Sequence, residues 1–107
     1  MEGRLSRHWD KGRRFLGVRY PLISGAMTWI SDSRLVRTVG EAGALGVLAA
    51  GNMPVESLEA EVRALKAASP AVPFGVNLIT IAPNYQAHLK KAVEMGVPFI
   101  VFAGSFP

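Results

Sequence analysis

The segment YPLISGAMTWISD, residues 20–32, contains the first half of a strand–helix unit. Its apolar run ends at Ile23 and is short enough for a buried strand rather than a helix. Small residues follow from Gly25, and Asp32 is a good helix N-cap. Because α/β folds bind ligands at the carboxyl ends of their strands, this turn is a candidate binding site. Gly25 has no Cβ, which lets the backbone approach a bound group closely.

The same order of apolar strand, small-residue turn and striped helix recurs along the chain. Apolar runs predict three further strands at residues 45–49, 74–79 and 98–103. Helical spacing predicts one apolar face after the second strand and another after the third. The first comprises Val55, Leu58, Val62 and Leu65, and the second comprises Tyr85, His88, Leu89, Ala92 and Val93.

Strands that are apolar on both faces are typical of a parallel sheet. We therefore expect an α/β fold, the first half of a TIM (β/α)8 barrel with four parallel strands and three intervening helices. A doubly wound sheet is the alternative. The first turn lacks the G-x-G-x-x-G pattern, and no acidic residue ends the second strand to hold a ribose, which disfavours that alternative.

The composition of the 107 residues indicates one folded domain, since half are hydrophobic and 19% are charged. The absence of cysteine excludes disulfides and thiolate chemistry, and it fits a cytoplasmic location. No apolar run is long enough to span a bilayer, so no membrane partner is expected. Residues 19–107 are predicted to form the partial barrel, preceded by a basic lead-in at 1–18.

Residues 1–19 hold the net charge of the chain, +4, whereas the rest of the sequence is neutral. We predict a short helix over 4–17 that Gly17 ends, with Leu5, His8 and Trp9 on a weak apolar side. A basic arm that touches phosphate is one interpretation, and a solvated lead-in is the other. No base-reading motif follows it, so no nucleic-acid partner is expected.

Acid–base groups are few. The glutamates are predicted on helices, away from the strand ends, at Glu41, Glu56, Glu59, Glu61 and Glu94. Asp32 is more simply a helix cap than a general base, and His88 belongs to a packing stripe. Ser24 and Ser105 have no base partner, and no metal-ligand cluster is visible.

The strand ends instead offer backbone amides, the side-chain amides of Asn52 and Asn77, and the apolar Met27 and Trp29. Such a surface suits a large flat cofactor, because amides bind ring or ribityl groups while apolar side chains exclude water. The alternative is that the small residues at these turns serve only barrel packing.

Four motifs agree in order and spacing with one family: YPLISGAMTWIS, AGALGVLAAGNMP, PFGVNLI and GVPFIVFAGSFP. They resemble the N-terminal half of the nitronate monooxygenase (2-nitropropane dioxygenase-like) family, which includes FMN-dependent enoyl-acyl-carrier-protein reductases. The resemblance implies a TIM barrel with FMN at its carboxyl face. It places the cofactor against Gly25, Ala26, Met27, Asn52, Asn77 and Gly104.

By this resemblance, a nitronate or NAD(P)H reduces the flavin, and oxygen or an enoyl thioester reoxidises it. The family's catalytic histidine and phosphate loops come from the second half of the barrel, and His88 does not occupy that histidine's position. We therefore expect a fragment of an FMN-dependent oxidoreductase, inactive by itself. The alternatives are an enoyl reductase and a non-catalytic half-barrel that associates through its open sheet edges.

Overall fold

The computed structural model describes residues 3–104, which form one sheet with helices along the chain between its strands. The elements alternate as the sequence predicts, after a helix at the start. In chain order they are α1 (Gly3–Leu16), β1 (Ile23–Ser24), α2 (Ser33–Glu41), β2 (Leu45–Ala49), α3 (Val55–Lys66), β3 (Phe74–Ile79), α4 (Tyr85–Glu94) and β4 (Phe99–Ala103).

The four strands are all parallel and lie side by side in chain order, β1-β2-β3-β4. In a doubly wound sheet the strand order reverses at a switch point. These strands show no reversal, so each strand–helix unit adds to the same edge as in a barrel. The register places Ala49, Asn77 and Val101 beside one another on neighbouring strands.

Local sequence explains where α2 and α3 begin and end. The Asp32 carboxylate accepts a hydrogen bond from the Leu35 N–H at 3.0 Å and so caps α2, as predicted. Gly43 follows the end of α2 with a φ of +101°, a conformation that side chains other than glycine rarely adopt. Pro54 occupies the N-cap position of α3, where its missing N–H leaves no helical bond unmade.

The core lies between the sheet and the helices. It is formed by Val36 of α2, by Leu58, Val62 and Leu65 of α3, and by Leu48, Phe74, Val76 and Leu78 of the sheet. This confirms the predicted apolar face of α3, apart from the half-buried Val55. On α4, His88 and Ala92 are buried, but Val93 is 64% exposed, so its assignment to the packing stripe was wrong.

One turn of helix α1 approaches both edge strands of the sheet near their amino ends. A Cβ added to Gly12 would lie 2.9 Å from Pro21, just before β1, and the Phe15 ring lies 5.7 Å from that of Phe99 in β4. The helix therefore lies across the end of the sheet opposite the candidate binding turns.

The predicted helix in the lead-in is present, and Gly17 follows it with a φ of +69°. Its predicted apolar side is wrong for Leu5 and His8, which are exposed, whereas Trp9 is half-buried and Leu16 is buried. Four exposed cations recur at helical spacing on one face of α1, namely Arg4, Arg7, Lys11 and Arg14. Among the described helices, none is long and apolar enough to cross a bilayer.

Candidate functional site

Five of the six predicted site residues follow the carboxyl ends of their strands, whereas Asn77, predicted at a strand end, does not. Asn77 is inside β3, in register with the last residue of β2. Its neighbours Val76 and Leu78 are fully buried in the core with the helices. Because side chains alternate along a strand, Asn77 points to the opposite face, which would line the interior of a closed barrel.

The Asn77 amide is half-buried and makes no hydrogen bond within residues 3–104. This amide has two N–H donors and an oxygen acceptor to offer to a ligand. A polar ring or chain of a ligand above the sheet would satisfy it. Asn52, on the β2–α3 loop, is exposed and lies farther out on the rim.

Gly25 follows β1 and faces open space. A Cβ added there would meet no heavy atom within 4 Å, and its φ lies outside the left-handed region. Neither packing within the chain nor backbone conformation therefore requires glycine at this position. The neighbouring Ala26 is half-buried and Met27 is exposed, so the turn leaves room for a flat group beside it.

Gly104 differs from Gly25, because the fold itself explains it. Its φ is +107°, and an added Cβ would lie 2.8 Å from the Thr80 hydroxyl oxygen. For this glycine, local structure is a sufficient reason. Ser105, the residue that follows, lies outside the described residues.

A cavity of about 240 Å³ opens next to this rim, on the side of α2 and α3. Its walls are the β1–α2 loop from Thr28 to Asp32, the end of β2, and the first turns of α3. Trp29 is 87% exposed there and has a φ of +68°, an unusual backbone conformation for a bulky residue. The buried Ser31 hydroxyl fixes the loop, because it accepts a hydrogen bond from the Met27 N–H at 2.9 Å.

Two carboxylates hold the start of α2 beside this cavity. The Leu35 N–H, with a smaller contribution from the Arg34 guanidinium, lowers the pKa of Asp32 below its ordinary value. Glu61 of α3 accepts a hydrogen bond from the Ser33 N–H at 3.3 Å. The prediction that all five glutamates lie away from the strand ends was therefore wrong for Glu61, which lines the cavity together with Ala49 and Asn52.

His88 is fully buried, and its Nε2 lies 2.7 Å from the Met53 carbonyl oxygen. Since a carbonyl only accepts, Nε2 carries the proton and donates. Nδ1 is buried without a partner among the described residues. The prediction of a packing residue holds. The hydrogen bond from His88 to the β2–α3 loop was not predicted, and the only sign of it in the sequence was a histidine on an otherwise apolar helix face.

The arrangement offers binding groups but little acid–base chemistry. Within residues 3–104, no three histidine or carboxylate side chains come together in a way that could hold a metal ion. The carboxylates nearest the rim, Asp32 and Glu61, are engaged with backbone N–H groups of α2. The described residues are therefore equipped to bind and orient a ligand.

Comparison with known proteins finds relatives that match most of this chain. The sequence profile of the nitronate monooxygenase family matches residues 11–98. A (3aS,4S,5R,7aS)-5-hydroxy-7a-methyl-1-oxo-octahydro-1H-indene-4-carboxyl-CoA dehydrogenase of Mycobacterium tuberculosis is 32% identical over 82% of this chain and 24% of its own length. A probable nitronate monooxygenase of Staphylococcus haemolyticus is 34% identical over 74% of this chain and 21% of its own length.

Among solved structures, FabK from Thermotoga maritima superposes with a TM-score of 0.80 at 30% identity, over 86% of this chain and 29% of FabK. The likeness confirms the predicted fold class, because the four strands and their helices match the N-terminal part of that TIM barrel. The chain spans about a quarter of the length of the curated relatives that it matches.

Proposed function

The chain belongs to the nitronate monooxygenase family, and from this we propose that it forms part of the FMN site of a flavin-dependent oxidoreductase. The observation that carries the proposal is the Asn77 amide, which points to the barrel-interior face of the sheet and makes no hydrogen bond within the described residues. Gly25 supports it, because the space that its side chain would fill is open.

FMN supplies the redox chemistry when it is bound, and the chain's own residues bind and shield it. The Asn77 amide orients the polar edge of the cofactor through hydrogen bonds. The turn at Gly25 and Ala26 lets the backbone lie against its flat surface, and the exposed Met27 side chain excludes water from one side. The residues that hold a proton for the substrate are not among those gathered at this rim.

Two reactions are consistent with this site. Oxidation of a nitronate with oxygen as the acceptor agrees with the family profile and with the Staphylococcus relative. Reduction of an enoyl thioester with NAD(P)H is the second candidate, favoured by the likeness to FabK. Reduction of the bound flavin by NADH in the absence of oxygen supports the second, and reduction only by a nitronate supports the first.

Because the sequence lacks cysteine, we also propose a cytoplasmic location.

Binding of FMN to the purified chain tests the proposal, measured by quenching of flavin fluorescence. Asn77→Ala should weaken binding about tenfold, because it leaves polar flavin atoms without a partner. Asn84→Ala is the matched control, since Asn84 is exposed and its side chain makes no capping bond to α4. Equal FMN affinity of the two variants, or no binding by the unaltered chain, would favour a non-catalytic half-barrel.

A further inference from the structure

The cavity between the β1–α2 loop and α3 shares only Asn52 with the residues predicted to contact the flavin. Asn77 is not among its walls, which come from the β1–α2 loop, the end of β2 and the first turns of α3. At about 240 Å³ it is smaller than the roughly 300–1,000 Å³ of sites for drug-sized ligands. An apolar cavity of about 150 Å³ is already large enough to hold benzene. The cavity is therefore suited to a single ring or a short alkyl chain.

The cavity is apolar in practice, although several polar residues line it. The Ser31 hydroxyl is bound to the Met27 N–H, and the carboxylates of Asp32 and Glu61 are bound to the first N–H groups of α2. These bonds occupy the Ser31 hydroxyl and both carboxylates. Thr28, Asn52 and Ser57 add polar groups to a wall whose apolar part includes Trp29, Ala49, Met53 and Pro54.

The charge of the wall also selects among ligands. Asp32 and Glu61 both line the cavity, and no basic side chain does so among the described residues. Arg34 pairs with Asp32 at 3.4 Å, but its side chain is almost fully exposed and outside the lining. Since the start of α2 is already capped by these two carboxylates, it attracts no further anion. An anionic ligand would therefore meet a wall that carries two carboxylates and, within residues 3–104, no cation.

Trp29 is unusual in two independent ways. Tryptophan is normally well buried, yet this side chain is 87% exposed. Its backbone is in the left-handed region, which is costly for a bulky residue and is found mainly at functional sites. An indole held at the mouth of an apolar cavity gains its missing contacts when an apolar group occupies that cavity.

We propose that this cavity binds a small, uncharged, apolar part of the substrate, a short alkyl chain or a single ring, against the Trp29 indole. That the occupant is part of the substrate rests on the proposed function, since the cavity wall begins at Thr28, directly after Met27 of the flavin turn. Binding itself does not require flavin. The cavity can therefore be tested in flavin-free protein, and failure of one proposal is distinguishable from failure of the other.

The test is a titration of the flavin-free, isotope-labelled chain with hexanol, followed by NMR. The chain has two tryptophans, so the indole N–H signal of Trp9 on α1 is an internal control. The Trp29 indole signal should move in a saturable manner while that of Trp9 stays in place. Hexanoate should bind at least about tenfold more weakly than hexanol, because its carboxylate is repelled by Asp32 and Glu61.

Two variants make the assignment specific. Ser57→Leu places an apolar side chain in the cavity from α3 and should abolish the hexanol response, whereas Ala60→Leu, exposed on the same helix and outside the lining, should leave it unchanged. Glu61→Gln keeps an oxygen that accepts from the Ser33 N–H and should reduce the preference for hexanol over hexanoate. An unmoved Trp29 signal, equal affinities for hexanol and hexanoate, or binding that persists in Ser57→Leu would overturn the proposal.

Discussion

His88 has a role that its position on an apolar helix stripe does not reveal. It donates a hydrogen bond from α4 to the Met53 carbonyl and so fixes the loop that carries Asn52. His88→Leu leaves that carbonyl without its donor, and we expect the free energy of unfolding to fall by about 1–3 kcal/mol in urea titrations. His8→Leu, at the exposed histidine of α1, is the control and should change it by less than about 0.5 kcal/mol. Equal effects would show that the buried bond adds no stability.

At this scale the sequence predicted residues whose role depends on their own strand or turn. Gly25 was placed directly after a strand from local pattern alone, and the structure has it there. Asn77 was placed at a strand end, but β3 continues two residues beyond it. The sequence did not predict that Glu61 contacts the start of α2 or that His88 contacts Met53. Those contacts join residues 28 and 35 positions apart, so they depend on how neighbouring helices pack.

The packing of α2 on β2 depends on the lack of a side chain at Gly46. A Cβ there would lie 2.8 Å from the Val36 Cα and 2.9 Å from its carbonyl oxygen, so the helix would have to move away from the strand. We expect Gly46→Ala to cost about 1–3 kcal/mol of unfolding free energy, as overpacked cores do. Gly25→Ala, which meets open space, is the matched control and should leave stability nearly unchanged while weakening FMN binding. A neutral Gly46→Ala in thermal unfolding would contradict the close approach.

The Asp32 cap of α2 gives a prediction about pH. Asp32→Ala should lower the unfolding free energy by about 1 kcal/mol at neutral pH, because the Leu35 N–H loses its acceptor. The pKa of Asp32 is lower in the folded state than its ordinary value of 3.8, so its stabilisation is present above that value and is lost as the pH falls through the folded pKa. The difference in unfolding free energy between the unaltered chain and Asp32→Ala should therefore become smaller only below about pH 4. Asp32→Asn, which keeps an oxygen acceptor without the charge, should lose this pH dependence in urea titrations repeated across acidic pH.

Strand boundaries were predicted best for the two inner strands of the sheet. The predicted strands at 45–49 and 74–79 are those observed as β2 and β3. At the first apolar run only two residues, Ile23 and the following Ser24, pair as β1. A strand at the sheet edge has one neighbour, so its length depends on pairing rather than on its own hydrophobicity.

For the whole molecule, both outer strands of the sheet have one unpaired edge within the described chain. Large apolar side chains are exposed on these strands, including Ile23 on β1 and Val101 and Phe102 on β4. Unpaired backbone groups beside apolar side chains are a template for pairing with another chain. We therefore predict that the chain, taken alone, self-associates in sedimentation velocity experiments.

A charge on the outer strand distinguishes the pairing of sheet edges from nonspecific hydrophobic association. Val101→Lys places a cation on β4 and should raise the dissociation constant of the assembly about tenfold, because an edge lysine must be desolvated when strands pair. Val93→Lys adds the same charge on the exposed side of α4, where valine is 64% exposed, and should have little effect. A single monomeric species that unfolds cooperatively over the whole concentration range would contradict association. Equal weakening by the two lysines would place the contact on the helices rather than on the edge of the sheet.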